Sequence, residues 1–172
     1  HIPLSTIIID MEWHNEGWCN WDVNTENYPN LKEFFTWCHE RNIEVSFNVH
    51  PQHINDTDSH FQDFVKRIGG EAKVKKLQWD VGRKKNVRHI KIDLGNPVHV
   101  QAFMELCHTP CIEEGLDYWW LDGYAAAVNG SHGQLVCNKA YYENAVRSGR
   151  RGMLLSRYGG LGSHRYGAFF TG

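Results

Sequence analysis

The chain is 172 residues long, 41% hydrophobic and 13% aromatic, which suits one globular domain with a substantial core. A formal net charge of −2 argues against a general nucleic-acid or polyanion binder. No apolar run approaches the roughly 20 residues needed to span a bilayer, and no motif calls for a cofactor.

In chain order, the first apolar run is STIIIDM at 5–11, with no basic leader ahead of it. NLKEFFTWCHERN follows. It sets Leu31, Phe34, Phe35 and Cys38 at i, i+3, i+4 and i+7, with Asn30 as N-cap, and so predicts a helix. The second apolar run is IEVSFNVH at 43–50. Residues 52–95 then read as an excursion, polar and basic in the middle, with partial helix over 61–77; the basic cluster from Lys73 to Arg88 reads as a solvated face. NPVHVQAFMELCHTPCIEEG predicts a second long helix. Pro97 lies in its first turn, Val100, Phe103, Met104 and Cys107 form one stripe, and Gly115 can end it. A break or kink is expected at Pro110. LDYWWLD at 116–122 is the third run, KAYYENAVRSG a third helix, and GMLLSR at 152–157 the fourth run. The chain stops on YGAFFTG, inside what reads as another strand, so a piece of a longer protein is expected.

Short runs rich in β-branched and aromatic residues, alternating with helices, mean βα units and a parallel sheet, open or closed. Each run ends in a chemically capable residue: Asp10, His50, Asp122 and Arg157. A parallel sheet delivers all four to its C-terminal edge, where α/β sheets and barrels keep their active sites. Two carboxylates, an arginine, a histidine and many indoles (Trp13, Trp18, Trp21, Trp119, Trp120) suit an uncharged, polyhydroxylated ligand. Carboxylates accept hydrogen bonds from sugar hydroxyls, and indole faces cover the apolar faces of a pyranose. Trp37 reads as core packing, as does Trp119, which should alternate away from Trp120. A metal-dependent hydrolase using Asp10, His50, Asp122 and His108 or His164 is a weaker alternative, because no His-x-His strand pair or helical zinc pattern is present. Cys19, Cys38, Cys107, Cys111 and Cys137 read as buried free thiols rather than a zinc site. Asn55-Asp56-Thr57 and Asn129-Gly130-Ser131 match the N-glycosylation acceptor pattern.

Four segments together, IPLSTIIIDMEWH, VSFNVHP, LDYWWLDG and LSRYGGLGSHRYGAFFTG, resemble the catalytic barrel of glycoside hydrolase family 31, the α-glucosidase family. The resemblance runs over nearly the whole chain, in order. It is most specific in the last segment, and it favours the branch whose motifs read like MDWH, NLHP and WWLD. It implies a partial (β/α)8 TIM barrel, with about four to five parallel strands and intervening helices, and residues 52–95 as an excursion after the second strand. It further implies that Asp122 is the catalytic nucleophile and that Asp10 grips hydroxyls of the sugar in the −1 subsite. Trp120 would be an aromatic wall, Arg157 a hydrogen-bond donor to the sugar beside the carboxylates, and His50 a sugar contact. The family's acid/base aspartate directly follows an (S/T)G pair, so it would come immediately after Thr171-Gly172. The implied activity is retaining hydrolysis of O-glycosidic bonds by double displacement, on an oligosaccharide or α-glucoside, without a metal. The expected partners are that substrate and the rest of the barrel and its domains. With fewer than the eight strands of a closed barrel, the piece alone is expected to be inactive.

The chain also departs from the pattern. Gly123-Tyr124 and then Ala125, Ala126 and Ala127 stand where this branch usually has a tryptophan–glutamine pair, and Glu12 stands where many members have aspartate. The altered loop motivates an alternative, a non-catalytic α-glucan-binding barrel of the same family.

Overall fold

The structure, a computed structural model, describes residues 3–15, 17–73, 76–81, 84–125 and 133–170, without the side chains of 72, 76–81 and 84–87. The first half contains β1 (Thr6–Ile9), α1 (Leu31–His39), β2 (Glu44–Val49), β3 (His53–Asn55), α2 (Phe61–Arg67), β4 (Lys76–Val81) and β5 (Lys84–Lys91). The second half contains α3 (Pro97–Phe103), α4 (Thr109–Glu114), β6 (Tyr118–Leu121), α5 (Gly133–Arg147), β7 (Leu154–Ser156) and β8 (Ala168–Phe169). Strands β1, β2, β6, β7 and β8 form one sheet in that order, and every pairing in it is parallel. All four predicted apolar runs are strands of this sheet, and the closing aromatic run supplies the fifth. The architecture is an α/β partial barrel.

The two faces of the sheet differ in kind. Val45, Phe47, Val49, Trp119, Leu121 and Leu154 are almost wholly buried and face the helices. Trp13 stacks on Phe47 at 4.8 Å and 16°, and Phe35 and Cys38 of α1 and Phe103 of α3 complete the layer. Each such side chain contributes about 1.5–3 kcal/mol by leaving water. The alternate residues of β2, Ser46 and Asn48, lie on the opposite face.

Helix α1 begins where predicted. Asn30 Oδ1 accepts from the Glu33 amide at 3.1 Å while Asn30 Nδ2 donates to Glu33 Oε2, also at 3.1 Å. Asn42, with φ of 56°, turns the chain away from the helix. The long second helix carries its expected interruption as a π-helical turn, Met104–His108, between α3 and α4. Pro110 lacks the N–H that an unbroken α-helix would use there, and its ring crowds the preceding turn; the wider turn accommodates both. That turn buries His108, whose Nδ1 contacts the Phe103 carbonyl at 3.2 Å and whose Nε2 contacts the Tyr141 hydroxyl at 2.7 Å. Gly115 closes α4 at φ 137°, where a Cβ would stand 2.8 Å from that of Phe35.

Two expectations need correction, the extent of the helix after residue 61 and the place of Trp37. The partial helix over 61–77 stops at Arg67, because Gly69 and Gly70 both adopt left-handed φ, 100° and 93°. Glu71–Lys73 is a 3-10 turn, and from Lys76 the chain forms a second, antiparallel sheet in the order β3-β5-β4. Trp37 is not core: it is 49% exposed on α1, with the Arg41 guanidinium 4.1 Å from its ring centre. The N-x-T acceptor Asn55 is 1% exposed within β3, which leaves no access for a glycan; the second match, 129–131, lies outside the described residues. All five cysteines are buried free thiols, and burial pushes Cys19 and Cys111 up to about 12. Among the described residues no helix is long and apolar enough to cross a membrane.

Candidate active site

The sheet's hydrogen-bond ladder extends one step beyond the ends of β6 and β7. The Asp122 amide donates to the Val49 carbonyl at 3.0 Å, and the Arg157 amide donates to Leu121 at 2.9 Å. Since Val49 pairs with Leu121 and Leu121 with Ser156, the next residues along, His50, Asp122 and Arg157, stand side by side at the C-terminal edge. Side-chain alternation sends them to the face shared by Asn48 and Trp120, away from the helices. Asp10 follows β1 directly. Its carboxylate accepts from the Met11 amide at 2.9 Å and so caps the 3-10 turn Met11–Trp13.

Arg157 Nη1 donates to Asp122 Oδ1 at 3.1 Å. The two side chains are 37% and 21% exposed, so the pair is partly solvated. His50 stacks on Trp18 at 4.7 Å with ring planes 12° apart. Burial lowers the proton affinity of His50; the carboxylates of Asp122 and Asp10 act against this, while His14 and Arg157 add to it. His50 therefore lies in the field of all three other strand-end residues and is favoured as a neutral ring. Trp120 is half-buried and meets Phe170 edge to face at 5.8 Å.

Gly123 holds these strand ends together. A Cβ there would lie 3.0 Å from both His50 Cα and Pro51 Cδ, so the backbone after Asp122 packs directly on the backbone after β2. A side chain at 123 would require His50 and Pro51 to give way by a few tenths of an ångström, so the glycine suits this close approach. Tyr124 beyond it is 63% exposed and meets Tyr158 edge to face, while Ala126 and Ala127 lie outside the described residues.

Not every indole expected at the site is there. Trp13 is fully buried and donates to the Asn48 carbonyl at 2.7 Å. Trp21 is 3% exposed, donates to the His53 carbonyl at 2.9 Å, and packs against Phe103 and His108. Both belong to the helix-facing core, as does Trp119, for which that position was expected. Trp18 remains at the edge, 47% exposed. The metal alternative also loses a member, because His108 packs on Trp119 and Tyr141, behind the sheet from Asp122. His164 is exposed in the 3-10 turn Ser163–Arg165.

Among the described residues, one group with metal-compatible ligand spacing occurs, Asp22, Asp58 and His60. Its oxygens are already engaged. Asp58 accepts from the Trp21 amide at 2.5 Å and contacts His60 Nδ1 at 2.9 Å, and Asp22 accepts from the Ser59 amide at 3.0 Å. The Asp58 hydrogen bond raises the proton affinity of His60. The arrangement ties the loop after β1 to the start of α2. The run pattern of the sequence does not single out Asn48, although the alternation of Ser46 and Asn48 with Val45, Phe47 and Val49 is visible in it.

The family model for the glycosyl hydrolases family 31 TIM-barrel domain matches residues 1–172. No curated protein matches the chain. Its fold is similar to that of an E. rectale family 31 sulfoquinovosidase in complex with an aza-sugar inhibitor, at 18% identity and TM-score 0.74, over 99% of this chain and 29% of that one. It is also similar to a Flavobacterium johnsoniae family 31 dextranase complexed with glucose, at 17% identity and TM-score 0.74, over 99% of this chain and 24% of that one. A family 31 α-xylosidase from a soil metagenome complexed with xylose gives 20% identity and TM-score 0.71, over 96% and 27%. The chain thus spans less than a third of the length of each. With its parallel strands, C-terminal-edge residues and full-length family match, the chain belongs to the TIM-barrel domain of glycoside hydrolase family 31.

Proposed function

We propose that this edge is the sugar-binding half of a retaining α-glycosidase site, with Asp122 as the nucleophile and Asp10, His50, Trp120 and Arg157 as substrate contacts. The observation that carries the reading is the Asp122–Arg157 pair at 3.1 Å on the C-terminal edge, with His50 alongside. An Asp122 oxygen attacks the anomeric carbon as the glycosidic C–O bond breaks, and the departing oxygen takes a proton from a second carboxyl group. The family pattern puts that acid directly after Thr171-Gly172. Retaining chemistry needs it about 5–5.5 Å from the nucleophile. Water, deprotonated by the same group, then cleaves the glycosyl ester and restores the starting anomeric configuration. Arg157 donates to the Asp122 oxygen that does not attack and keeps the carboxylate aimed. An indole wall such as Trp120 suits the apolar face of a pyranose, and a neutral His50 suits a hydroxyl.

The test uses the full-length protein and a panel of 4-nitrophenyl α-glucoside, α-xyloside and α-galactoside. Asp122→Ala should reduce turnover by about 10⁴-fold or more on whichever glycoside is cleaved, with the thermal transition preserved. Azide should rescue that variant and give a glycosyl azide of inverted configuration. Undiminished turnover in Asp122→Ala removes the assignment. A wild-type protein that binds α-glucans yet cleaves none of the panel favours the non-catalytic reading suggested by the altered loop from Gly123 to Ala127.

A further inference from the structure

We propose that Asn48 is a specificity-determining residue of this site, its amide binding two neighbouring hydroxyls of a neutral glycone. The inference rests on the reading of the edge as a sugar site. Asn48 is fully buried, yet neither Oδ1 nor Nδ2 has a hydrogen-bond partner among the described residues. A buried, unpartnered polar group costs about 1–3 kcal/mol, and a side-chain amide carries two such groups. The nearby buried indole of Trp13 does not relieve the cost, because it donates to the backbone carbonyl of Asn48 and not to its side chain.

The orphaned atoms cluster. Asn48 is the register partner of Trp120, whose Nε1 is also buried without a partner. His50, two residues along the same face, has a buried unpartnered Nδ1. The pairing of Ile8 with Ser46 carries on to bring Asp10 beside Asn48. Three side chains on two adjacent strands thus hold unused hydrogen-bonding capacity next to Asp122, and they do not spend it on one another. With no ligand to bind, a position as fully buried as 48 would favour an apolar residue.

The chemistry of the amide defines what fits. Asp10 can only accept hydrogen bonds, and Arg157 can only donate them. Asn48 does both from one planar group, so it matches a pair of vicinal hydroxyls of which one accepts from Nδ2 and the other donates to Oδ1. An inverted hydroxyl or a missing one leaves half of the amide unpaired, and polar sites of this kind reject analogues strongly. Asn48 would therefore read hydroxyl configuration, while Asp10 and Arg157 hold the sugar near the reacting centre.

The experiment uses the full-length protein with Asn48→Leu, close in volume but apolar, and Asn48→Ser as a milder change. Indole fluorescence follows binding of glucose, xylose and galactose. The 4-nitrophenyl glycoside panel gives kcat/KM, and thermal melting is recorded in parallel. Asn48→Leu is expected to melt at or above the wild-type temperature, because it removes unpaired polar groups. It should weaken binding of the preferred sugar and lower kcat/KM by about tenfold or more, with preference among the three sugars flattened. Wild-type affinity, kcat/KM and sugar preference retained in both variants would overturn the proposal. So would losses accompanied in both variants by a matching fall in melting temperature, which marks a structural amide. If the wild type itself neither binds nor cleaves any of these sugars, the underlying reading of the site falls first. Failure confined to the Asn48 variants leaves that reading standing.

Discussion

Arg157→Met separates what the ion pair does for stability from what it does for a bound sugar. The pair has one contact, at 3.1 Å, between side chains that are 37% and 21% exposed. Partly solvated pairs of this kind contribute about 0.2–1 kcal/mol to folding. For a domain of this size that shifts the melting temperature by no more than about 4 °C. The expected catalytic effect is far larger. Methionine removes a charge-assisted donor aimed at Asp122 and, on the proposed reading, at the sugar, and losing one preorganised donor in an active site costs about 10²–10³ in rate. Arg157→Lys should recover little of this, since an ammonium cannot reproduce the planar fork of a guanidinium. The assay pairs kcat/KM on the preferred aryl α-glycoside with a thermal melt of the same full-length preparation. An unchanged kcat/KM in Arg157→Met would refute the reasoning, and so would a fall of more than about 8 °C in melting temperature, which would make the pair structural.

Gly123→Ala should destabilise the protein by about 1–3 kcal/mol and lower turnover, because the new methyl meets His50 Cα and Pro51 Cδ at 3.0 Å and pushes apart the strand ends that carry His50 and Asp122; a wild-type melt would show that the contact gives way easily. His108 is held down to about 3 by burial, against an ordinary 6.5, so below 6.5 the unfolded chain binds a proton that the folded chain refuses. Its stabilising effect is complete above pH 6.5 and is lost as pH falls toward 3, at no more than about 1.4 kcal/mol per pH unit. Urea titrations of His108→Gln should therefore show a slope in this window that is shallower by about one proton, and an identical slope would contradict the assignment. The five buried thiols should resist a disulfide reagent in the native state and all titrate after unfolding; rapid native labelling would show that the core is open.

The parallel sheet was legible in the sequence because a strand buried on both faces leaves a dense signature, as IEVSFNVH and LDYWWLD do. The strand-end residues were legible too, as abrupt changes from apolar to ionisable. Helix starts were readable where one residue marks them, Asn30 as the cap of α1 and Pro97 as the opening residue of α3; the cap that Asn96 supplies to α3 was not. The hairpin of β4 and β5 was missed although Leu77, Trp79 and Val81 alternate with Lys76, Gln78 and Asp80 along β4, because the lysines and arginines around it made the whole segment read as a solvated face. Periodicity also gave no way to tell the core tryptophans from the one at the edge: Trp13, Trp18 and Trp21 share a loop, and only the tertiary partners Phe47, His50 and Phe103 sort them. Trp37 sits three residues from Phe34 and two from Phe35, close enough to the apolar stripe to be counted with it, yet the helix turns it outward onto Arg41. Asn48 went unmarked because a polar residue inside a strand is conspicuous only when its lack of partners can be seen.

The division of labour along β2 carries a consequence for how such a domain can diversify. Positions 45, 47 and 49 are locked into the helical layer, whereas 46 and 48 face away from it and His50, stacked on Trp18, ends their row. On the proposed reading of the edge, a library randomised at codons 46 and 48 would sample new sugar preferences while leaving the helix-facing core in place, and its survivors would map the recognition surface one side chain at a time.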